Sequence, residues 1–258
     1  MTECWEVRWI VSSESDAVPM LLKSFLLTSA ARIYPTLQER ASKEGWTHRK
    51  FLENLLLVEA ADRKERLTQK LLKKAALPVG KTLSALQEEM LPQKIRRQLP
   101  QLLEGGFTDQ AINVLAFGLP GRGKTHFLAA LGHELILRHQ KRVLFIATFK
   151  LVGHLLQAKS TNRLSEALKK LDGFDVVILD DIGYVQQSRE EMEVLFTFMA
   201  ERYERKSLMI SSNLVFSQWD KIFKDPMTTM AAIDRVVHHS IILEFDGAES
   251  IRTKRPKN

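Results

Sequence analysis

Five short apolar runs, "NVLAFG", "RVLFIAT", "DVVILDD", "SLMISSN" and "SIILEF", recur from residue 113 onward with helix-patterned stretches among them. Strands that are apolar at consecutive positions, rather than at alternate ones, have both faces covered. The pattern therefore predicts an α/β core, a parallel sheet covered by helices. Ahead of it, from about Met20 to Leu77, apolar residues recur every three or four positions, as in "FLENLLLVEAADRKERLTQKLLKKAAL", until Pro78 and Gly80 stop the helical pattern. The expected organisation is an extension over 1–19 and a small all-helical N-terminal domain over 20–80. A polar connector containing Pro92 and Pro100 follows over 81–110, then the α/β domain over 111–258.

The first apolar run leads directly into "GLPGRGKTH", and an amphipathic helical stretch, "KTHFLAALGHELILRH", follows. Gly118, Gly123, Lys124 and Thr125 fit G-x-x-x-x-G-K-[ST] in register, in the strand-then-helix setting that the motif requires. Its physics is specific. Glycines let backbone N–H groups turn inward around phosphate oxygens, the lysine ammonium reaches the β- and γ-phosphates, and the threonine hydroxyl coordinates magnesium. The start of the following helix adds its positive dipole end. ATP with Mg2+ is the expected ligand, held by Gly118, Leu119, Pro120, Gly121, Arg122, Gly123, Lys124, Thr125 and His126.

A loop that holds a triphosphate needs carboxylates for the metal and for water. "DVVILDD" ends in Asp180 and Asp181 at the carboxyl edge of a strand, where ligands sit in open α/β sheets. Asp180 is the expected magnesium contact, directly or through water, and Asp181 the residue that polarises attacking water. Asn213 ends the next run at the same edge, either as a turn residue or as an amide that orients water or touches the γ-phosphate.

Composition narrows the partners. The chain of 258 residues carries a formal net charge of +7, which suits a polyanionic partner. Seven Lys or Arg stand between Arg63 and Lys81 against one acid, Glu65. Arg63, Lys64, Arg66, Lys70, Lys73 and Lys74 have spacings that let most of them share one helix face, which is either a DNA contact or a solvated charged face. No base-reading motif accompanies them, so little sequence specificity is expected. The sole cysteine, Cys4, permits neither a disulfide framework nor a cysteine metal site within one chain. The apolar run near the start is shorter than a membrane span, and no secretion-signal order precedes it, so a cytoplasmic protein without membrane contact is expected. The adjacent His238 and His239 lack other ligands at metal spacing, and a cap or packing role is expected of them rather than zinc.

Taken together, these motifs resemble those of the AAA+ ATPases, most closely the IstB family of transposition helpers, with the DnaC helicase loaders as near relatives. "GLPGRGKTH" is similar to the family's Walker A loop, "VVILDD" to its Walker B strand and "SSN" to its sensor I. "IDRVVHHS" resembles the segment that carries a trans-acting arginine, and "ESIR" the segment with the sensor II arginine, although Ile251 replaces the usual aromatic there. The helical front resembles the IstB amino-terminal region. By resemblance, Lys124, Asp181, Asn213 and Arg235 form the catalytic set, with Arg235 reaching toward a neighbouring subunit and Arg252 toward the bound γ-phosphate. The resemblance implies a DNA-binding ATPase oligomer that acts with a transposase or integrase. A helicase loader and a nucleotide-switched scaffold with little turnover are the alternatives, the latter because Asp181 stands in place of the glutamate common in AAA+ enzymes.

Overall fold

In the computed structural model, which describes residues 17–182, 188–214 and 236–245, the five apolar runs form one sheet. Strands β1 (Asn113–Phe117), β2 (Val143–Ala147), β3 (Val176–Ile182), β4 (Ser207–Ser212) and β5 (Ser240–Glu244) lie in the order β2-β3-β4-β1-β5, every pair parallel. The parallel α/β sheet expected from the apolar runs is thus present. Because successive side chains leave a strand on opposite faces, each strand feeds two cores. Val114, Ala116, Ile178, Met209 and Leu243 enter one, and Leu115, Phe117, Val177, Leu179 and Ile210 enter the other.

Helices cover both faces. On the first lie α6 (Lys124–His139), α4 (Gln93–Leu103) and the end of α3 (His48–Ala75), whose Leu71 and Ala75 are buried there. The second face is covered by α7 (Thr148–Ser160) and α9 (Arg189–Arg202), with α8 (Leu164–Asp172) packed on both helices. Full burial of a Val, Leu or Ile side chain contributes about 1.5–3 kcal/mol, so these two layers supply most of the drive to form the sheet.

The chain divides into two compact units, one running to Leu67 and the other beginning at Thr68. The first unit contains α1 (Ala17–Ser24), α2 (Thr28–Lys43) and the greater part of α3, around a small core of Ala30, Leu37 and Leu55 with Tyr34 edge-on to Phe51. Helix α2 lacks a capping side chain of its own, since Leu27 stands at the cap. Glu59 of α3 fills that role by accepting from the backbone N–H groups of Ser29 at 2.8 Å and Ala30 at 3.0 Å. Burial pushes the Glu59 carboxyl up, but the Ala30 N–H, Arg63 and the Ser29 N–H outweigh it and hold the group below the ordinary carboxylate range.

Two stretches differ from the sequence expectation. Helix α1 begins at Ala17, inside the segment read as an extension. The stretch read as a polar connector contains α4 and the short α5 (Gly106–Asp109), and it buries Ile95, Leu99, Leu102 and Phe107 in the first core. Its prolines do not break it. Pro92 stands just ahead of α4, where a fixed φ suits helix entry, and Pro100 is exposed near the helix end.

Candidate functional site

After Phe117 the chain turns sharply to enter α6. Gly118, Gly121 and Gly123 take φ values of 142°, 80° and 90°, conformations costly for any residue with a Cβ. At Gly118 space is also limiting. A Cβ there would lie 3.0 Å from Phe245 Cβ and 3.1 Å from the Phe245 carbonyl oxygen. Phe245 is fixed in turn by its N–H, which donates to the Phe117 carbonyl at 2.7 Å, and by its edge-on contact with Phe127 of α6. Gly123 stands at the cap of α6 and offers no side-chain acceptor to the first N–H groups of the helix, an arrangement that suits an anion.

Lys124 is 5% exposed and folds over the loop. Its Nζ donates to the carbonyls of Gly118 at 2.5 Å and Leu119 at 3.0 Å, and to Asn213 Oδ1 at 2.8 Å. Strand β4 lies between β1 and β3, so Asn213 at its end stands between the glycine loop and the acidic strand. On that strand the β3 and β4 registers slip between Leu179 and Ile182, and Asp181 takes a φ of 57°. Such a bulge re-aims the side chain that follows it. Ser211 stabilises both acidic residues: its Oγ accepts from the Asp181 N–H at 2.8 Å and donates to Asp180 Oδ1 at 2.7 Å. Thr148 Oγ1 donates to the Asp180 carbonyl at 2.9 Å.

These elements enclose a cleft of about 290 Å3, lined by Lys81, by Pro120 through His126, and by Asp181 and Asn213. Gly118 and Leu119 are not in that lining, and their carbonyls hold Lys124. Asp180 is absent from the lining, and its carboxylate is held on Ser211. Arg235 and Arg252 lie outside the described residues. Among the described residues no group of three His, Cys, Asp or Glu is placed to hold a metal by itself. The donor set of Thr125 and Asp180 nevertheless fits magnesium, which keeps waters and uses one or two carboxylates together with substrate phosphates.

The six basic residues expected to meet DNA all lie on α3, and they divide into groups. Arg63 Nε pairs with Glu59 at 2.8 Å and its guanidinium also donates to the Leu26 carbonyl, while Arg66 pairs with Asp62 at 2.8 Å. Both arginines therefore brace the first unit. Lys64 is exposed, as are Lys70, Lys73 and Lys74, and among the described residues these last three form no ion pair. His239 pairs with Glu204 at 3.2 Å and meets His238 edge-on. Sequence reasoning missed Lys81, Ser211 and Thr148. The two serines of "SSN" were the available signal for Ser211, since hydroxyls interrupting an apolar strand need partners; nothing in the sequence pointed to Lys81.

A glycine loop between a strand and a helix, with an acidic strand two places away and a polar strand end between them, defines a P-loop nucleotide-binding protein of the AAA+ type. The chain belongs to the IstB-like ATP binding protein family, whose sequence model matches residues 20–258. It is 39% identical over 236 residues to an insertion-sequence ATP-binding protein of Sinorhizobium fredii, covering 91% of this chain and 78% of that one. To the insertion sequence IS21 ATP-binding protein of Pseudomonas aeruginosa it is 36% identical, covering 86% of this chain and 83% of that one. Among solved structures, the DnaC helicase loader shares the fold with a TM-score of 0.50 and 17% identity, over 58% of this chain and 88% of that one. No helix among the described residues is long and apolar enough to cross a membrane.

Proposed function

We propose that this chain is an ATP-hydrolysing, DNA-binding helper that acts with the transposase of an insertion sequence. The observation that carries the reading is the cleft in which Lys124, Thr125, Asp181 and Asn213 meet, in a chain whose relatives are named as insertion-sequence ATP-binding proteins. The loop amides and Lys124 bind the phosphates, and Asn213 links the lysine to the end of β4. Asp181 accepts a proton from the water that attacks the γ-phosphorus, the bond to the β,γ-bridging oxygen breaks, and ADP and phosphate leave. Thr125 and Asp180, the latter fixed by Ser211, would hold magnesium, which neutralises charge on the phosphate oxygens when bound. Arg235 of a neighbouring subunit and Arg252 complete the γ-phosphate surroundings, so that ATP sits between copies of the chain and its state controls assembly on DNA.

DNA contact falls to Lys70, Lys73 and Lys74, which form no ion pair among the described residues, whereas Arg63 and Arg66 are engaged by carboxylates of their own unit. Phosphate release with and without duplex DNA tests the whole reading. Wild type should turn over ATP faster on DNA. Lys124→Ala should lose binding and turnover, and Asp181→Asn should lose turnover while still binding ATP. Wild-type protein that takes up no ATP would sink the proposal. A second reading, a nucleotide-switched scaffold, follows from Asp181, whose carboxylate lines the cleft one methylene short of a glutamate. ATP binding with no phosphate release in either condition would favour it.

A further inference from the structure

One cation in the cleft lining belongs to no motif. Lys81 follows a turn that begins at Pro78 and is closed by the Lys81 N–H donating to the Pro78 carbonyl at 3.4 Å. Gly80 occupies its third place at a φ of 76°, as a type II turn requires, and Val79 is fully exposed at the tip. The turn reverses the chain as it leaves α3 and sets Lys81 in the wall of the cleft. On the following residue, the Thr82 carbonyl lies 3.1 Å from His126 Nε2. A carbonyl only accepts, so Nε2 carries the proton and donates it. One residue further, Leu83 packs against the first core, and Leu86 is buried there. Lys81 is thus fixed from both sides, by a glycine turn before it and by a histidine clasp after it.

Its charge has no internal partner among the described residues: Lys81 is half-buried and makes no ion pair there. Among the described residues Asp181 is the one carboxylate of the lining, and it arrives from the β3 end, alongside Asn213 from the β4 end. Lys124 is tied to that side through Asn213. Lys81 instead shares its wall with His126, in the first turn of α6. A half-buried ammonium held without a carboxylate in a phosphate-binding cleft is a counter-charge waiting for its anion.

Resting on the nucleotide reading of this cleft, we propose that Lys81 is a second polyphosphate contact, taking the α- and β-phosphate portion common to ADP and ATP. His126 is a positioning residue that holds Lys81 there by clasping the Thr82 carbonyl, rather than a ligand contact through its ring.

Binding of fluorescent ADP and ATP analogues with magnesium to the full chain tests this, with circular dichroism and melting to establish that each variant is folded. Lys81→Ala should weaken both nucleotides by the same factor, on the order of tenfold for removal of one charged hydrogen bond, and Lys81→Arg should keep most of the affinity. His126→Ala should cost part of that affinity, and His126→Gln, whose amide N–H can still reach a carbonyl, should restore it. In a double-mutant cycle His126→Ala should add nothing once Lys81 is alanine, whereas a histidine that merely supports the fold would add its full effect in either background. If Lys124→Ala abolishes binding while Lys81→Ala leaves it intact, the Lys81 assignment falls and the nucleotide site stands. A weakening confined to ATP overturns the α,β assignment. Wild type that binds neither nucleotide overturns the underlying reading itself.

Discussion

Arg202 is the side chain on which the edge of the second core turns. It is 2% exposed, and its guanidinium donates to the carbonyls of Leu171, Phe174, Asp175 and Ser207, tying the end of α8 to the entries of β3 and β4. Burial pulls its pKa down to about 10 despite the neighbouring Asp172 and Asp175, so it stays charged at neutral pH. Replacement of Arg202 by Leu leaves buried carbonyls without donors and should destabilise the protein by about 3 kcal/mol, read from urea midpoints. Asp175 shows the opposite shift. Burial raises its carboxyl, but the Arg142 side chain and N–H and the Lys206 ammonium overcome this and hold it well below the ordinary range. A depressed carboxyl contributes stability that is fully present above its unfolded pKa, about 4, and is lost as pH falls through the lower folded value. Urea midpoints of wild type should therefore drop as pH falls from about 5 to about 2, and Asp175→Asn should flatten that slope.

Among the elements, α6 and α7 offer a paired test of what glycine does in a helix. A Cβ on Gly132 of α6 would lie 2.7 Å from Ile178 Cδ1 and 3.3 Å from Val143 Cγ1, so this glycine lets the helix approach the sheet. Gly153 of α7 is exposed with nothing within 4 Å of such a Cβ. Gly153→Ala should then raise stability by about 0.5–1 kcal/mol by restricting the unfolded chain, while Gly132→Val should lower the melting temperature by forcing the helix off the sheet. The legibility of each element follows the same distinction between local and distant causes. The five strands and the glycine loop are readable because their signals lie within a few consecutive residues. Helix α4 is not, because Pro92 and Pro100 draw attention away from Ile95, Leu99 and Leu102, whose spacing marks the buried face. Asn213 stands at a strand end, as its run suggests, yet its bond to Lys124 depends on β4 lying next to β1, a strand order that no local pattern encodes. Lys81 is invisible in the sequence for the same reason: only the turn at Gly80 and the His126 clasp bring it to the cleft.

At the scale of the whole chain, the unit beginning at Thr68 holds both the glycine loop and the basic end of α3. Leu71 and Ala75, on the α3 turns that carry Lys70, Lys73 and Lys74, enter the same core as Phe127, Leu128 and Leu131 of the loop-bearing helix α6. A ligand that tightens the start of α6 therefore acts on a core that also positions the basic residues. If the proposed DNA contact lies on these lysines, ATP and DNA should each change the other's affinity by the same factor, as linkage requires, typically about 5- to 150-fold. Neutralising Lys70, Lys73 and Lys74 together should reduce the slope of log affinity against log salt by about 0.9 for each DNA phosphate that is no longer neutralised. Arg63→Ala, by contrast, should act mainly on the stability of the first unit, where it pairs with Glu59 and braces the Leu26 carbonyl. Fluorescence anisotropy of labelled duplex DNA across a salt series, with and without ATP, reads the coupling and the slope, and urea unfolding reads the Arg63 effect. A salt slope unchanged by the triple lysine substitution would move the DNA contact off α3, and a coupling factor of one would mean that the shared core does not transmit nucleotide state to the helix.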